Sequence, residues 1–179
     1  YRWGAARLAK QGSIVSGDSH SVREKKGQLM MLLSDGMGAG TRAAMESSTT
    51  LSLFEKLLDL DFPMEMVIRL VNSVLLLRSS EEVFATLDLS VINLYTGATQ
   101  LLKIGAAATF IKRGGRVAVI RSQSLPLGIL NSVDVELIEE QLAPGDMVIM
   151  VSDGLLDVRK DLEEPECWIQ EFLAECSEM

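Results

Sequence analysis

Cysteine and histidine are scarce in this sequence, which limits the chemistry it can carry. Only two cysteines, Cys167 and Cys176, and one histidine, His20, occur among 179 residues. If both cysteines lie on one helix, their spacing separates them by roughly 13–14 Å, which is too far for a disulfide. Free thiols in a reducing compartment are therefore expected. A zinc site built from several histidines and cysteines is excluded.

Long apolar runs and basic clusters are also missing. No run approaches the roughly 20 apolar residues of a membrane-spanning helix and no signal peptide is recognisable, so we predict a cytoplasmic location with no membrane contact within this sequence. The first residue is Tyr1 rather than methionine, so we expect a fragment whose parent protein could carry a membrane anchor upstream. The net charge of −8 argues against nucleic acid as a partner, because phosphate backbones attract positive charge. The sequence carries no indication of the oligomeric state.

The composition is otherwise that of an ordinary globular domain, with 47% apolar and 23% charged residues. Residues 1–179 contain no repeat, no low-complexity stretch and no linker, so a single domain is expected. A chain of this length can bury a core without a structural metal, so a bound metal would serve chemistry.

Apolar periodicity predicts two strands, two helices, about six further strands and a final helix. Strands are predicted at 12–18, 28–34, 133–141 and 146–152, among others, with a polar turn over 19–27. Helices are predicted at about 42–58, 61–75 and 166–174. Helices that are segregated from antiparallel strands favour an α+β fold, with two packed sheets and the helices outside, over a doubly wound βαβ fold.

Two Ser-Asp-Gly tripeptides, at 34–36 and 152–154, each follow a long apolar strand. Asp35 and Asp153 are therefore expected at strand ends, where carboxylates of neighbouring strands converge and repel unless a cation lies between them. Asp18 is predicted to end a strand in the same way. Carboxylate oxygens favour Mg²⁺ or Mn²⁺, so we predict two such ions bridged by aspartate. Ordinary turn chemistry is the alternative explanation for each Asp-Gly pair taken alone.

The glycines after Asp35 fit the same site. Gly36 has no side chain, so its carbonyl can approach a metal. Gly38 and Gly40 let a phosphate approach the start of the next helix, whose N-terminus favours anions. Arg42, in that helix, is a candidate phosphate contact, and an exposed helix arginine is an equally good interpretation. Two metals would lower the pKa of a bridging water that attacks phosphorus in line, so the three aspartates are candidate catalytic residues as well as metal ligands.

Five motifs occur in a fixed order between residues 12 and 158. They are Ser-Gly-Asp-Ser at 16–19, Ser-Asp-Gly-Met-Gly-x-Gly at 34–40, Thr-Leu-Asp-Leu-Ser at 86–90, Leu-Pro-Leu-Gly-Ile at 125–129 and Ser-Asp-Gly at 152–154. As a set they resemble the stage II sporulation protein E subgroup of the PP2C-like (PPM) metal-dependent protein serine/threonine phosphatases. The resemblance implies an α-β-β-α sandwich of two mainly antiparallel sheets flanked by helices. It also implies a hydrolase that acts on phosphoserine or phosphothreonine of proteins with two Mn²⁺ or Mg²⁺ ions.

The resemblance assigns roles to individual positions. In the family, the aspartates that match Asp18, Asp35 and Asp153, and the carbonyl that matches Gly36, bind the metals. Similar members act on phosphorylated anti-anti-sigma factors, so the implied partner is a phosphoprotein of this kind in bacterial sigma-factor regulation. Met37 stands where many PP2C enzymes carry a histidine as general acid, so the leaving group must take its proton from water or another group.

The family usually ends in one more strand, preceded by an aspartate that completes the second metal site. The sequence stops at Met179 without this motif, so the domain is expected to lack its C-terminal strand. This departure leaves an alternative function, a catalytically weak phosphoprotein-binding regulatory module with an incomplete metal site. A small-molecule phosphohydrolase with the same metals is a third hypothesis.

Three polar residues near these motifs are interpreted as structural. Thr86 and Asp88 lie on a predicted strand, and Asp88 is expected to be either solvated or hydrogen-bonded. His20 is expected on a surface loop.

Overall fold

A computed structural model of the chain describes residues 1–9, 12, 14–38, 40–77, 84–133, 135, 137–159 and 161–176. Its elements, in chain order, are β1 (Asp18–Lys25), β2 (Gln28–Asp35), α1 (Thr41–Asp59), α2 (Met64–Leu77), β3 (Leu87–Asn93), β4 (Ala98–Ile104), β5 (Thr109–Arg113), β6 (Arg116–Ile120), β7 (Leu137–Gln141), β8 (Met147–Met150), α3 (Asp153–Leu156) and α4 (Glu166–Glu175). A 3₁₀ turn over Asp157–Arg159 follows α3. The predicted order of strands and helices is therefore confirmed, and the short α3 is an addition.

The strands form two antiparallel sheets. The first has the order β1-β2-β3-β4-β7 and the second the order β6-β5-β8. In β3, Leu87 and Leu89 pack in the core under the helices, so Asp88 between them points to the opposite face. On that face Asp88 accepts a hydrogen bond from Thr109 of β5. The two sheets therefore face each other, as the predicted sandwich requires.

Helices α1 and α2 cover the outer face of the first sheet. Phe54 of α1 and Val67 and Val71 of α2 are fully buried against residues such as Leu32 and Leu87. Burial of a side chain of this size contributes about 1.5–3 kcal/mol. This packing fixes α1, and with it the glycine loop that joins β2 to the helix.

Helix α4 covers the second sheet, where Ile169 packs with Phe110. Lys112, which is only 4% exposed, donates through Nζ to the carbonyls of Leu173 and Cys176. A cation at a helix C-terminus satisfies carbonyls that have no partner within the helix. The layers thus follow the order helix, sheet, sheet, helix.

The strand predicted at 12–18 is wrong. β1 begins at Asp18 and runs through most of the predicted polar turn. The turn itself is confined to Lys26 and Gly27, which have positive φ of 53° and 75°. Among the described strands, β1 lies at the edge of the first sheet beside β2, and edge strands accept charged and polar side chains. The polar and mixed-charge composition of residues 19–25, which was interpreted as a turn, is therefore compatible with a strand at this position.

The other predicted elements differ less. The strand predicted at 133–141 is shortened to β7, with residues 134 and 136 outside the described residues, and the one at 146–152 is shortened to β8. The last helix is confirmed as α4. Both cysteines are free, as expected. Within the described ranges, no helix has the length and hydrophobicity needed to cross a membrane.

Candidate active site

The three predicted aspartates interact at the ends of the strands. Asp18 and Asp35 are direct partners in the antiparallel register of β1 and β2, so they lie on the same face of the first sheet. Asp153 begins α3, just after β8 of the second sheet. Burial and the neighbouring carboxylates of Asp153 and Asp18 raise the pKa of Asp35 to about 8. The fold therefore brings together three acids that come from separate segments.

Thr86 fixes the backbone at Asp35. The Asp35 amide donates to Thr86 Oγ1 at 2.9 Å, and the Thr86 amide donates to the Asp35 carbonyl at 3.0 Å. The Ser34 hydroxyl adds a hydrogen bond of 2.7 Å to the Thr86 carbonyl. These bonds extend the pairing of β2 with β3 to Thr86, the residue before β3, and so hold the end of β2 in place.

Two serine hydroxyls orient Asp18. Its Oδ2 accepts from Ser16 Oγ at 2.9 Å and from Ser152 Oγ at 3.1 Å. Ser16 precedes β1 and Ser152 follows β8, so this oxygen links the two sheets. Ser16 and Ser152, the second of which belongs to a Ser-Asp-Gly tripeptide, thus have a role that the sequence did not reveal.

Gly36 and Gly17 are needed because α1 comes very close to the site. A Cβ at Gly36 would lie 2.0 Å from the carbonyl oxygen of Ala43 in α1. A Cβ at Gly17 would lie 3.4 Å from both Asp35 Oδ1 and the Gly36 carbonyl oxygen. That carbonyl oxygen and the Asp35 carboxylate therefore both face Gly17, on the same side of the site.

The donor set fits a hard cation in charge and in chemical type. Crowded carboxylates need a proton or a cation between them, and the pKa of about 8 at Asp35 means that it holds a proton at neutral pH when no cation is bound. Oxygen donors without histidine or cysteine suit Mg²⁺ or Mn²⁺. In the part of the chain that the structure describes, no group of three or more His, Cys, Asp or Glu side chains is placed so that it could hold a metal ion as it stands. The carboxylates would therefore have to adjust around a bound ion.

A cavity of about 40 Å³ adjoins the carboxylates. Asp35 and Asp153 line it together with Thr86, Asp88 and Gly105. This volume holds roughly two or three water molecules and is too small for a phosphorylated side chain. A substrate would therefore approach from the solvent side of the site.

The predicted phosphate-binding residues lie on the loop into α1 and in its first turn. Gly38 and Gly40 have φ of 91° and 80°, a region that favours glycine, and Gly40 precedes the first helical residue. The exposed Arg42 donates from Nε to Glu46 Oε1 at 3.1 Å, one turn along the same helix. It is therefore an ion-paired helix arginine, and a contact with substrate phosphate stays a prediction.

The structure changes the interpretation of two polar residues. His20 is exposed, as expected, but it lies on β1 and not on a loop, so that part of the prediction was wrong. Asp88 is buried and hydrogen-bonded to Lys103 and Thr109, so the solvated alternative is excluded. Lys103 and Thr109 carried no local signal in the sequence, because their contact with Asp88 depends on how the strands pair and how the sheets pack.

Comparison with known proteins decides the family. The family model described as stage II sporulation protein E (SpoIIE) matches residues 25–178. The chain belongs to the stage II sporulation protein E family. Stage II sporulation protein E of Bacillus subtilis (strain 168) is 43% identical to it over 168 residues, which are 93% of this chain and 20% of that protein. The chain therefore spans about a fifth of the length of this SpoIIE relative.

Solved structures agree with the fold. The PP2C phosphatase domain of SpoIIE from Bacillus subtilis, solved with a fragment of its regulatory domain, matches with a TM-score of 0.88 at 41% identity, over 97% of this chain and 51% of that chain. RsbX, solved in complex with magnesium, matches with a TM-score of 0.69 at 19% identity, over 93% of this chain and 82% of that one, and this likeness concerns the fold alone. The predicted α-β-β-α sandwich is confirmed for this member of the SpoIIE family, and the matched structure from Bacillus subtilis is that of a PP2C phosphatase domain.

Proposed function

We propose that this chain hydrolyses phosphoserine or phosphothreonine on a protein substrate with the help of two Mn²⁺ or Mg²⁺ ions. Asp18, Asp35, Asp153 and the carbonyl of Gly36 would hold the ions. The observation that carries the proposal is the convergence of the three carboxylates, which together with burial raises the pKa of Asp35 to about 8. Membership of a family of PP2C phosphatases supports it.

Residues around the three aspartates orient their carboxylates and set their charge. Divalent cations in such a site supply a water of lowered pKa and positive charge for the transferring phosphoryl group. Ser16 and Ser152 orient one oxygen of Asp18, and Thr86 fixes the backbone at Asp35. Asp35 must release its proton before it can bind a cation, because metal ligands act in their deprotonated form.

The loop between β2 and α1 is proposed to face the substrate phosphate. The first turn of α1 contains no acidic residue, so the amides there meet no competing carboxylate from that turn. Arg42 would add positive charge beside them. Met37 is 52% exposed and has no proton to donate, so the leaving serine or threonine would take its proton from solvent.

The proposed partner is a phosphorylated anti-anti-sigma factor, and the proposed location of the reaction is the cytoplasm. The resemblance of the motifs to the sporulation subgroup supports both. A site at the strand ends, open on its solvent side, suits a phosphorylated side chain that belongs to a folded protein. The single domain over residues 1–179 is part of the same proposal.

Phosphate release from a phosphoserine protein tests the proposed activity. The chain should release phosphate with Mn²⁺ and lose that activity in EDTA and in the variant Asp35→Asn. Asp59→Asn is the matched control, because Asp59 is an exposed acid that pairs with Arg23 on the surface. Equal turnover in Asp35→Asn and Asp59→Asn would refute the proposed site.

One observation favours a second function, a phosphoprotein-binding regulatory module with little catalysis. Among the residues that the structure describes, no three His, Cys, Asp or Glu side chains are arranged so that they could hold a metal ion. A calorimetric Mn²⁺ titration separates the two functions. Two tightly bound ions would exclude the module, and one ion with no turnover would support it.

A further inference from the structure

A buried polar cluster lies between the two sheets. It consists of Asp88 of β3, Lys103 of β4 and Thr109 of β5, and we call it the inter-sheet cluster. Lys103 Nζ donates to Asp88 Oδ2 at 2.6 Å and to Thr109 Oγ1 at 2.8 Å. Thr109 Oγ1 donates in turn to Asp88 Oδ2 at 2.8 Å. None of the three residues is more than 1% exposed.

Stability alone does not explain this cluster. A buried ion pair loses the hydration of both charges, and apolar residues of similar volume usually stabilise a core at least as well. Asp88 carries an additional cost, because its Oδ1 is buried and has no hydrogen-bond partner among the described residues. Burial raises the pKa of Asp88 and lowers the pKa of Lys103, while the attraction within the pair opposes both shifts. The core therefore contains a costly polar group at this point.

The position of the cluster indicates what it does. Asp88 pairs with Leu33 of β2, which lies two residues before Asp35. Thr109 pairs with Met150 of β8, which lies three residues before Asp153. Asp88 also lines the cavity that Asp35 and Asp153 share. The hydrogen bond from Thr109 to Asp88 thus joins the two sheets next to the places from which each sheet delivers a carboxylate.

We propose that the inter-sheet cluster positions the cation site, because it holds β2 and β8 at the separation that lets Asp35 and Asp153 bind the same pair of ions. Asp88, Lys103 and Thr109 are then positioning residues that act through the two aspartates. The inference rests on the proposed function, since it concerns the affinity of that site for cations. It adds a second requirement for cation binding besides the three aspartates, namely a fixed separation between the two sheets.

Thr109→Val tests the proposal, because it replaces the hydroxyl by a methyl group of similar size. Mn²⁺ affinity is measured by calorimetry, and unfolding is measured in EDTA, on the full chain. We expect about 10-fold weaker Mn²⁺ binding, the size of effect that residues behind the ligands of a metal site commonly have. Thr109→Ser keeps the hydroxyl and should bind Mn²⁺ within about 2-fold of the unchanged chain.

Thr99→Val is the matched control. Thr99 is also a buried threonine, 2% exposed, but it lies at the far end of β4 and its hydroxyl donates to the nearby Gly97 carbonyl. Thr99→Val should lower the unfolding midpoint without weakening Mn²⁺ binding. If Thr109→Val binds Mn²⁺ more weakly than Thr99→Val although the two variants are similarly stable, the role of Thr109 is not merely structural.

Equal Mn²⁺ affinity of Thr109→Val and the unchanged chain would overturn the inference and leave the proposed function intact. If the unchanged chain binds no Mn²⁺ at all, the proposed function and the inference both fail. Should Thr109→Val not fold, the double variant Asp88→Val with Lys103→Met provides the comparison, because it removes the buried pair as a unit. Native Mn²⁺ affinity in that double variant would also overturn the inference.

Discussion

Replacement of Asp35 by asparagine should stabilise the cation-free protein at alkaline pH. Burial and the charges of Asp153 and Asp18 raise the pKa of Asp35 from 3.8 to about 8 in the folded state. Between these pH values the folded state binds a proton that the unfolded state has lost, so stability falls as pH rises from about 4 to 8. Asparagine carries no charge and removes this loss. The variant should therefore be the more stable protein at pH 8.5 and nearly equal to the unchanged chain at about pH 3.5, where Asp35 is largely protonated in both the folded and the unfolded state.

The magnitude follows from the shift and from the exposure of the group. About four pH units at roughly 1.4 kcal/mol each set a ceiling of between about 5 and 6 kcal/mol. Asp35 is only half-buried, so solvent screening reduces the expected difference at pH 8.5 to about 2 kcal/mol. In a domain of this size, that difference corresponds to about 4–8 °C in the unfolding midpoint.

Urea unfolding in EDTA at both pH values provides the assay. The quantity of interest is the difference in free energy of unfolding between Asp35→Asn and the unchanged chain, in which the titration of groups that do not interact with Asp35 cancels. Asp59→Asn serves again as the control and should show no gain at pH 8.5. A variant that is no more stable than the unchanged chain at pH 8.5 would show that the three carboxylates are not crowded in the folded protein.

Three further predictions concern the same site and its surroundings. Mn²⁺ affinity should rise with pH and level off above about pH 8, because the ion displaces the proton of Asp35. A calorimetric affinity that does not change from about pH 6 to 8.5 would contradict this. Lys103→Met should destabilise the protein by about 3–5 kcal/mol in urea unfolding, because it leaves Asp88 charged, buried and without its ion-pair partner. A loss of unfolding free energy below about 1 kcal/mol would show that Asp88 is neutral or hydrated. Gly36→Ala should unfold the site locally or abolish Mn²⁺ binding, since its Cβ would lie 2.0 Å from the Ala43 carbonyl oxygen. An unchanged Mn²⁺ affinity in this variant would mean that α1 moves away at little cost.

The sequence predicted those parts of the site that depend on local patterns. Asp35 was expected at a strand end because a long apolar run precedes a Ser-Asp-Gly tripeptide, and Asp35 does end β2. Asp153 likewise follows the apolar strand β8. Asp18 was expected to end a strand but begins β1, yet it reaches the same face because the antiparallel register pairs it with Asp35. The metal-binding roles of the three aspartates stay predictions.

Contacts between distant segments could not be predicted from the sequence. The partner of Asp88 is set by the register of β3 and β4 and by the packing of the two sheets, neither of which leaves a local pattern. The hydrogen bond from Ser152 to Asp18 joins residues 134 positions apart.

The most direct test of the central claim is Mn²⁺-dependent phosphate release from a phosphoserine protein, measured side by side on the unchanged chain and on Asp153→Asn. If Asp18, Asp35 and Asp153 form one cation site, the unchanged chain releases phosphate and Asp153→Asn is slower by at least about 100-fold, because the loss of a ligand exceeds the effect of residues behind it. Equal rates in the two proteins would contradict the account, since Asp153 would then take no part in the reaction.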